Sequence, residues 1–304
     1  MSVICLMGPT ASGKTAVAMR LADAFPFDIV SVDSALVYRG MNIGTAKPST
    51  DELQRYPHRL VDIRDPDETY SAGDFVRDAN RLIDEIQSAG RIPLLVGGTM
   101  MYFRALTEGM ADLPPANTGI RDAIDHEAEK LGWPAMHQKL AQIDPQSATR
   151  INANDQQRIQ RALEVYELSG RTLSAWQLET PVVRHAFKKF ALSPEPRAEL
   201  HARIEKRLDQ MLEQGFINEV KSLMKHSDLK RDHASMRAVG YRQFWSHLRD
   251  EIDFDDARMK TLTATRQLAK RQLTWLRSDQ EAVLINPLKF DAVDTISAYL
   301  NSVM

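Results

Sequence analysis

Apolar residues first gather in an unbroken run, Val3 to Met7, too short for a helix and suited to a strand buried on both faces. Further on, Val17, Leu21 and Phe25 recur at helical spacing. "DIVSVD" predicts a second strand ending at Asp33, and "RIPLLVGGT" a third, in which Ile92, Leu94, Leu95 and Val96 run into Gly97, Gly98 and Thr99. Alternating strand and helix patterns of this kind predict an open parallel sheet with helices packed on its faces. From about Pro114 to about Pro181 the texture becomes helical, broken by Gly132, Pro134 and Pro145 and without a β run. Within it Asp155 can cap a helix that passes through Leu163 and Val165 and stops near Gly170. "KKFALS" then returns the chain to the sheet and "AVLINP" adds a further strand, with an amphipathic helix from about Leu200 to Gly215 between them. The expected organisation is a core made of 1–113 and 183–304 and an all-helical insertion at 114–182.

Composition narrows the classes open to such a chain. With 304 residues and a formal net charge of −2, it can build a full core and is not coated in positive potential. No apolar run is long enough to cross a bilayer, and the opening residues read as a strand rather than a targeting segment. The single cysteine, Cys5, lies in that strand and cannot form an internal disulfide, so a cytoplasmic protein is expected, and a monomer. Charge is nonetheless segregated. Asp51 to Glu85 is rich in carboxylates, whereas Arg258, Lys260, Arg266, Lys270, Arg271 and Arg277 occur with no Asp or Glu among them.

Between the first strand and the first helix stands "GPTASGKT", with the G-x-x-x-x-G-K-[ST] spacing of a phosphate-binding loop. In that motif backbone N–H groups surround anionic oxygens, the Lys adds charge, and the Ser or Thr hydroxyl meets Mg²⁺. Strand, glycine loop and helix are the context it requires, so a phosphate-loop sheet is the expected fold. Ligands of such sheets bind beyond the carboxyl ends of the strands, which would gather Gly8 to Thr15, Asp33 and Thr99 around one crevice. Asp33 can hold Mg²⁺ or its waters, act as a base, or simply cap the next turn. Gly97 and Gly98 can offer N–H groups to a ligand or serve a tight turn that needs positive φ. Arg158 and Arg161 stand three apart on the predicted insertion helix, and Arg266, Lys270 and Arg277 form a stripe flanked by Leu268 and Trp275. Either set alone reads as a solvated face; together they favour a polyanionic partner, RNA.

These segments, together with "DSALVYRGMNIGTAKPS", "GGT" followed by "MMYFRAL", "QRIQRALEVYELSG", "SMRAVGYRQ" and "KRQLTWLR", resemble the bacterial tRNA dimethylallyltransferase family along nearly the whole chain and in its order. Met100 and Met101 depart from the usual Gly-Leu, and Pro196 stands where an acidic residue is common. The resemblance implies that the loop residues Gly8, Pro9, Thr10, Ala11, Ser12, Gly13, Lys14 and Thr15, with Arg237, hold the diphosphate of dimethylallyl diphosphate, Mg²⁺ lying near Thr15. Phosphate would then be the leaving group. The acceptor implied is the exocyclic amine of the adenosine just 3′ of the anticodon, in the anticodon stem-loop of tRNAs that read codons beginning with U. Asp33, Thr99 and Lys14 are the implied catalytic residues, with Asp33 as candidate base. RNA-facing positions implied in the sheet half are Asp33, Ser34, Ala35, Leu36 and Thr99. Those in the insertion are Arg121, Gln157, Arg158, Ile159, Gln160 and Arg161. After the insertion come Arg237, Ala238, Val239, Gly240, Tyr241 and Arg242, then Lys270, Arg271, Gln272, Leu273, Thr274, Trp275, Leu276 and Arg277. A nucleotide or small-molecule kinase using the same loop, and an RNA-binding switch without catalysis, are the competing readings.

Overall fold

The computed structural model describes residues 2–179 and 182–303, so Pro181, the expected end of the helical stretch, lies outside the described residues. The chain packs as two compact units, Met1–Thr107 with Arg184–Met304, and Glu108–Val183. Strand β1 (Val3–Met7) leads through the glycine loop into α1 (Lys14–Ala24), followed by β2 (Phe27–Val32), α2 (Thr50–Arg55) and β3 (His58–Arg59). Then come α3 (Ala72–Ser88), β4 (Ile92–Gly97) and α4 (Met100–Thr107). The second unit is helical: α5 (Thr118–Leu131), α6 (Trp133–Ile143), α7 (Pro145–Arg150), α8 (Gln156–Ser169) and α9 (Leu173–Gln177). The chain returns in β5 (Phe187–Leu192), α10 (Arg197–Glu213), α11 (Phe216–Leu223), a 3₁₀ turn (Ser235–Arg237), α12 (Tyr241–Leu248) and α13 (Phe254–Ser278). It closes with β6 (Val283–Ile285) and α14 (Ala292–Val303).

All paired strands are parallel, in the order β3-β2-β4-β1-β5-β6. Alternation along each strand assigns its residues to two cores. Val3, Cys5 and Met7 join Val30, Val32 and Leu95 beneath α3 and the helices that follow β5, whereas Ile4, Leu6, Ile29 and Leu94 face α1 and α14. A strand covered on both sides must be apolar throughout, which is why "VICLM" shows no period. Burial pushes the Cys5 thiol up to about 12, so this cysteine is inert core. The strand β3 was absent from the sequence reading because two residues leave no period to detect.

The register brings three strand ends level. Gly97 lies opposite Met7 on one side and Val32 on the other, so the loop after β1, Asp33 after β2 and Thr99 after β4 emerge together. Gly97 is glycine for space, not for positive φ: a Cβ there would stand 2.0 Å from the Val32 carbonyl oxygen. The helical unit has its own core, including Ile124, Met136, Leu140, Ile159 and Leu163. Its helix α8 is capped as its sequence predicts, the Asp155 carboxylate accepting the Arg158 N–H at 3.2 Å and Gly170 closing it at φ 65°.

Candidate active site

Beyond the carboxyl ends of the strands opens a cavity of about 1630 Å³, lined wholly by the sheet unit. Its floor is the phosphate loop from Thr10 to Thr15; Gly8 and Pro9 are buried behind it. Ala11 at φ 61° and Gly13 at φ 91° give the loop its concave turn. The Lys14 ammonium donates to the Pro9 carbonyl at 2.8 Å, a bond within the loop that an incoming anion can replace. Burial pushes Lys14 down to about 8, against the opposing pull of Asp33, and the Arg207 guanidinium lowers it further. Ser12 Oγ is buried without a hydrogen-bond partner.

Asp33 is both a turn residue and a chemical one. Its Oδ1 accepts the N–H groups of Ala35 at 2.8 Å and Leu36 at 3.3 Å, fixing the carboxylate by the turn it caps. Its Oδ2 has no hydrogen-bond partner among the described residues, and the residue lines the cavity. Thr99 supports this turn: its hydroxyl oxygen accepts the Ser34 N–H at 3.0 Å and its hydroxyl donates to Ser34 Oγ at 3.3 Å.

Two residues matter here in ways the sequence did not show. Arg207, on α10, lines the cavity with no ion pair among the described residues, and burial lowers its pKa against the pull of Asp33. The helix "HARIEKR" carried the signal, but nothing local distinguished Arg207 from its exposed neighbours. Gln272, expected at an RNA-facing position, is buried; its Oε1 accepts the Thr10 N–H at 3.0 Å and its Nε2 donates to the Gly98 carbonyl at 2.8 Å. Helix α13 is thereby tied to the phosphate loop and to the end of β4.

The remaining expected positions divide. Ser34, Ala35, Leu36, Thr99, Arg237, Ala238, Val239, Gly240, Tyr241, Arg271 and Trp275 line the cavity with the loop. Arg242, Lys270, Thr274 and Arg277 are exposed outside it, while Leu273 and Leu276 are core. The expected basic stripe on α13 is largely neutralised by distant carboxylates. Arg258 pairs with Asp209, Arg266 with Glu205 and Arg277 with Glu195, leaving Lys270 and Arg271 without an ion pair among the described residues.

In the helical unit Arg158 and Arg161 diverge. Arg158 is largely exposed, 3.4 Å from Asp155. Arg161 donates to Glu164 Oε2 and to the Pro114 carbonyl, each at 2.7 Å, and Arg121 grips the same carboxylate at 2.9 and 3.1 Å. Burial opposes the charge on Glu164, yet hydrogen bonds from Arg121, Arg161 and the Asn117 N–H prevail and hold its pKa below the usual range. Ile159 is core, Gln157 is exposed, and Gln160 donates to Asp125 at 2.6 Å.

Comparisons with known proteins agree with one another. The family profile described as IPP transferase matches residues 36–279. A tRNA dimethylallyltransferase from Ralstonia pickettii (strain 12J) is 52% identical over 303 residues, covering 97% of this chain and 93% of that protein. The full-length tRNA isopentenylpyrophosphate transferase of Bacillus halodurans superposes with a TM-score of 0.72 at 35% identity, covering 99% of this chain and 95% of its own. A eukaryotic dimethylallyltransferase acting on tRNA gives 0.79 at 27% identity, covering 97% and 77%.

Proposed function

The chain belongs to the IPP transferase family, and from that premise we propose how the cavity residues divide the work of transferring a dimethylallyl group from dimethylallyl diphosphate to a tRNA adenosine. Membership of that family decides between the two uses of the glycine loop: phosphate departs with the displaced group. The acceptor is the exocyclic N6 amine of the adenosine 3′-adjacent to the anticodon, in tRNAs that read codons beginning with U. The observation that carries the assignment is that one cavity brings the Asp33 carboxylate within electrostatic reach of the cations Lys14 and Arg207. The carboxylate suits a proton acceptor, the cations a departing anion.

The adenine amine is a weak nucleophile because its lone pair is delocalised into the ring, so removal of its proton is worth assisting. As nitrogen bonds to the allylic carbon, the carbon–oxygen bond breaks and both electrons leave with diphosphate. Asp33 Oδ2, held in place by the turn bonds to Oδ1, takes the amine proton. The loop N–H groups, Lys14 and Arg207 stabilise charge as it develops on the leaving oxygens. Thr99 holds Ser34, and through it the Asp33 turn. The nucleotide has to leave its stack to enter the cavity, which costs least in a single-stranded loop.

The described residues contain no cluster of three or more His, Cys, Asp or Glu, so they form no all-protein metal cage. Mg²⁺ does not need one: it keeps several waters and takes phosphate oxygens, and a Thr hydroxyl in the first turn of α1, lining the cavity beside the phosphate loop, fits it. Thr15 would hold it, and when bound it neutralises charge on the diphosphate. No described helix is long and apolar enough to cross a membrane; we place the reaction in the cytoplasm and assign it to a monomer. The test is to incubate the protein with unmodified tRNA, Mg²⁺ and dimethylallyl diphosphate and weigh RNA fragments for an added five-carbon unit. Failure with several U-reading tRNAs would overturn the reading.

A further inference from the structure

One wall of the cavity, the segment Asn42–Lys47, has no part in the chemistry described so far. A single carboxylate on α11 holds it. Glu219 Oε2 accepts the N–H groups of Asn42 at 2.8 Å and Ile43 at 2.7 Å, and Oε1 accepts those of Gly44 at 3.1 Å and the Tyr241 hydroxyl at 2.6 Å. Consecutive backbone N–H groups converging in this way make a nest that binds anions, and here the protein fills it with its own side chain. Gly44 is required by the close approach: a Cβ would lie 2.1 Å from Phe216 Cε2 and 2.7 Å from Tyr241 Cε2. At the far end of the segment Lys47 is nearly buried and donates to the Tyr38 carbonyl at 2.8 Å, to Asn42 Oδ1 at 2.9 Å and to Asp62. The polar side chains there are spent on holding backbone shape.

Tyr241 joins a second wall to the first. It opens α12 directly after Gly240, and the turn Arg237–Tyr241 lines the same cavity. Burial and the neighbouring Glu219 carboxylate push its pKa far above the usual tyrosine range, so its hydroxyl remains a donor at any pH the protein meets. Glu219 therefore binds two separate segments of wall into one piece.

The path of the chain to that piece points to the acceptor as the substrate it meets. Arg207 stands near Lys14 and Asp33, and α10 runs six residues further to Glu213, about 9 Å at 1.5 Å per residue. Only then does Gly215, at φ 96°, turn the chain into the helix that carries Phe216 and Glu219. A five-carbon chain, with carbon–carbon bonds of about 1.5 Å, extends only about 5 Å beyond a diphosphate held at Lys14. We propose that Glu219 is a positioning residue for the acceptor: it locks the Asn42–Gly44 backbone against Tyr241, at the end of the Arg237–Tyr241 turn, and so fixes the wall against which the tRNA adenosine is received. The inference rests on the transfer reaction proposed above.

Glu219→Gln keeps the shape but removes the charge that draws the N–H groups together, and Tyr241→Phe deletes one bond while keeping the ring. Steady-state kinetics with each substrate varied in turn, together with hydrogen exchange of the 42–44 amides, test the idea. Glu219→Gln should raise the tRNA KM by about tenfold, the scale of losing a charge-assisted hydrogen bond, and leave the diphosphate KM within about twofold. The 42–44 amides should exchange faster. Tyr241→Phe should shift the tRNA KM in the same direction by a few-fold, and the double variant should be no worse than Glu219→Gln alone, because both remove parts of one interaction. An equal rise in both KM values, or unchanged tRNA KM while those amides exchange faster, would overturn the proposal. Should Glu219→Gln fail to fold, Tyr241→Phe decides by the same criteria. A parent protein that adds no five-carbon unit to any tRNA would instead sink the transfer reading, with the exchange result still standing.

Discussion

Lys14 sits where its charge depends on ordinary changes of pH. Its pKa lies near 8, lowered by burial, and it is the cationic form that attracts diphosphate. As pH rises through 8 the free protein loses that charge, so the KM for dimethylallyl diphosphate should climb between about pH 7 and pH 9, by up to tenfold per unit above the pKa. Lys14→Arg, which cannot be deprotonated in this range, should flatten the rise. A KM equally flat in the parent and in Lys14→Arg would remove Lys14 from the binding site. Asp33 poses the complementary question, since a turn cap and a base share one side chain. Asp33→Asn retains a carbonyl oxygen to accept from Ala35 and Leu36 but cannot take the amine proton. If Asp33 is the base, kcat should fall by roughly 10²–10⁴-fold with both substrates still binding. If it mainly organises Mg²⁺, the loss should appear in diphosphate KM and recover at higher Mg²⁺. An Asn variant that melts like the parent and turns over within a few-fold of it excludes the base role.

Helices α8 and α13 show where pattern informs and where it stops. Periodicity located α8, and Asp155 and Gly170 marked its ends, because caps are written in adjacent residues. The five longer strands are legible as short apolar runs, and the rule that ligands sit at parallel strand ends brings Asp33 and Thr99 to the loop from the sequence alone. What periodicity cannot supply is the partner. No local pattern marks Glu164, in the same helix as Arg158 and Arg161, yet its side chain is fully buried and takes up both Arg161 and Arg121. Gln272 meets Thr10 across 262 positions of sequence, a separation no local pattern encodes. These placements change what substitutions should do. Arg161→Ala leaves a buried carboxylate short of a donor and should destabilise the protein by roughly 1–3 kcal/mol, whereas Arg158→Ala should leave the melt unchanged and reduce the salt slope of tRNA binding by about one. Equal melting of the two variants would show that Glu164 does not need Arg161. Gln272→Ala frees the Thr10 N–H and the Gly98 carbonyl, so a rise in the diphosphate KM rather than the tRNA KM is expected. The reverse ordering would return Gln272 to the RNA-facing set.

At the scale of the whole molecule, the puzzle is a polyanion-binding chain with 39 basic and 41 acidic residues. Total charge predicts no attraction, and the late basic stretch of the sequence suggests a strongly positive surface. Neither describes the folded protein. Carboxylates from α10 and from the turn before it neutralise Arg258, Arg266 and Arg277, so most of the late basic stretch adds little net positive potential. Among the described residues of the sheet unit, Lys14, Arg203, Lys206, Arg207, Arg237 and Arg271 line the cavity without an ion pair, and exposed cations such as Lys221, Lys225, Lys230, Arg242 and Lys270 are unpaired outside it. Unpaired cations around the cavity, in a chain of nearly balanced charge, fit recognition that depends on seating the nucleotide as well as on collecting phosphates. The expected consequence is a moderate salt dependence: with Lys14 and Arg207 given to the diphosphate, Arg203, Lys206, Arg237, Lys270 and Arg271 together with Arg158 of the helical unit would neutralise roughly six phosphates, which at about 0.7–0.9 each give a log–log slope of magnitude about 5. Lys270→Ala with Arg271→Ala should lower that magnitude by one to two, roughly one for each phosphate no longer neutralised, and leave the parent's preference for anticodon loops over other single-stranded RNA largely intact. Binding titrated from low to moderate salt decides the matter. A slope near −10, or a preference that disappears with those two cations, would show that tRNA is held by a broad phosphate-binding surface and not by the cavity.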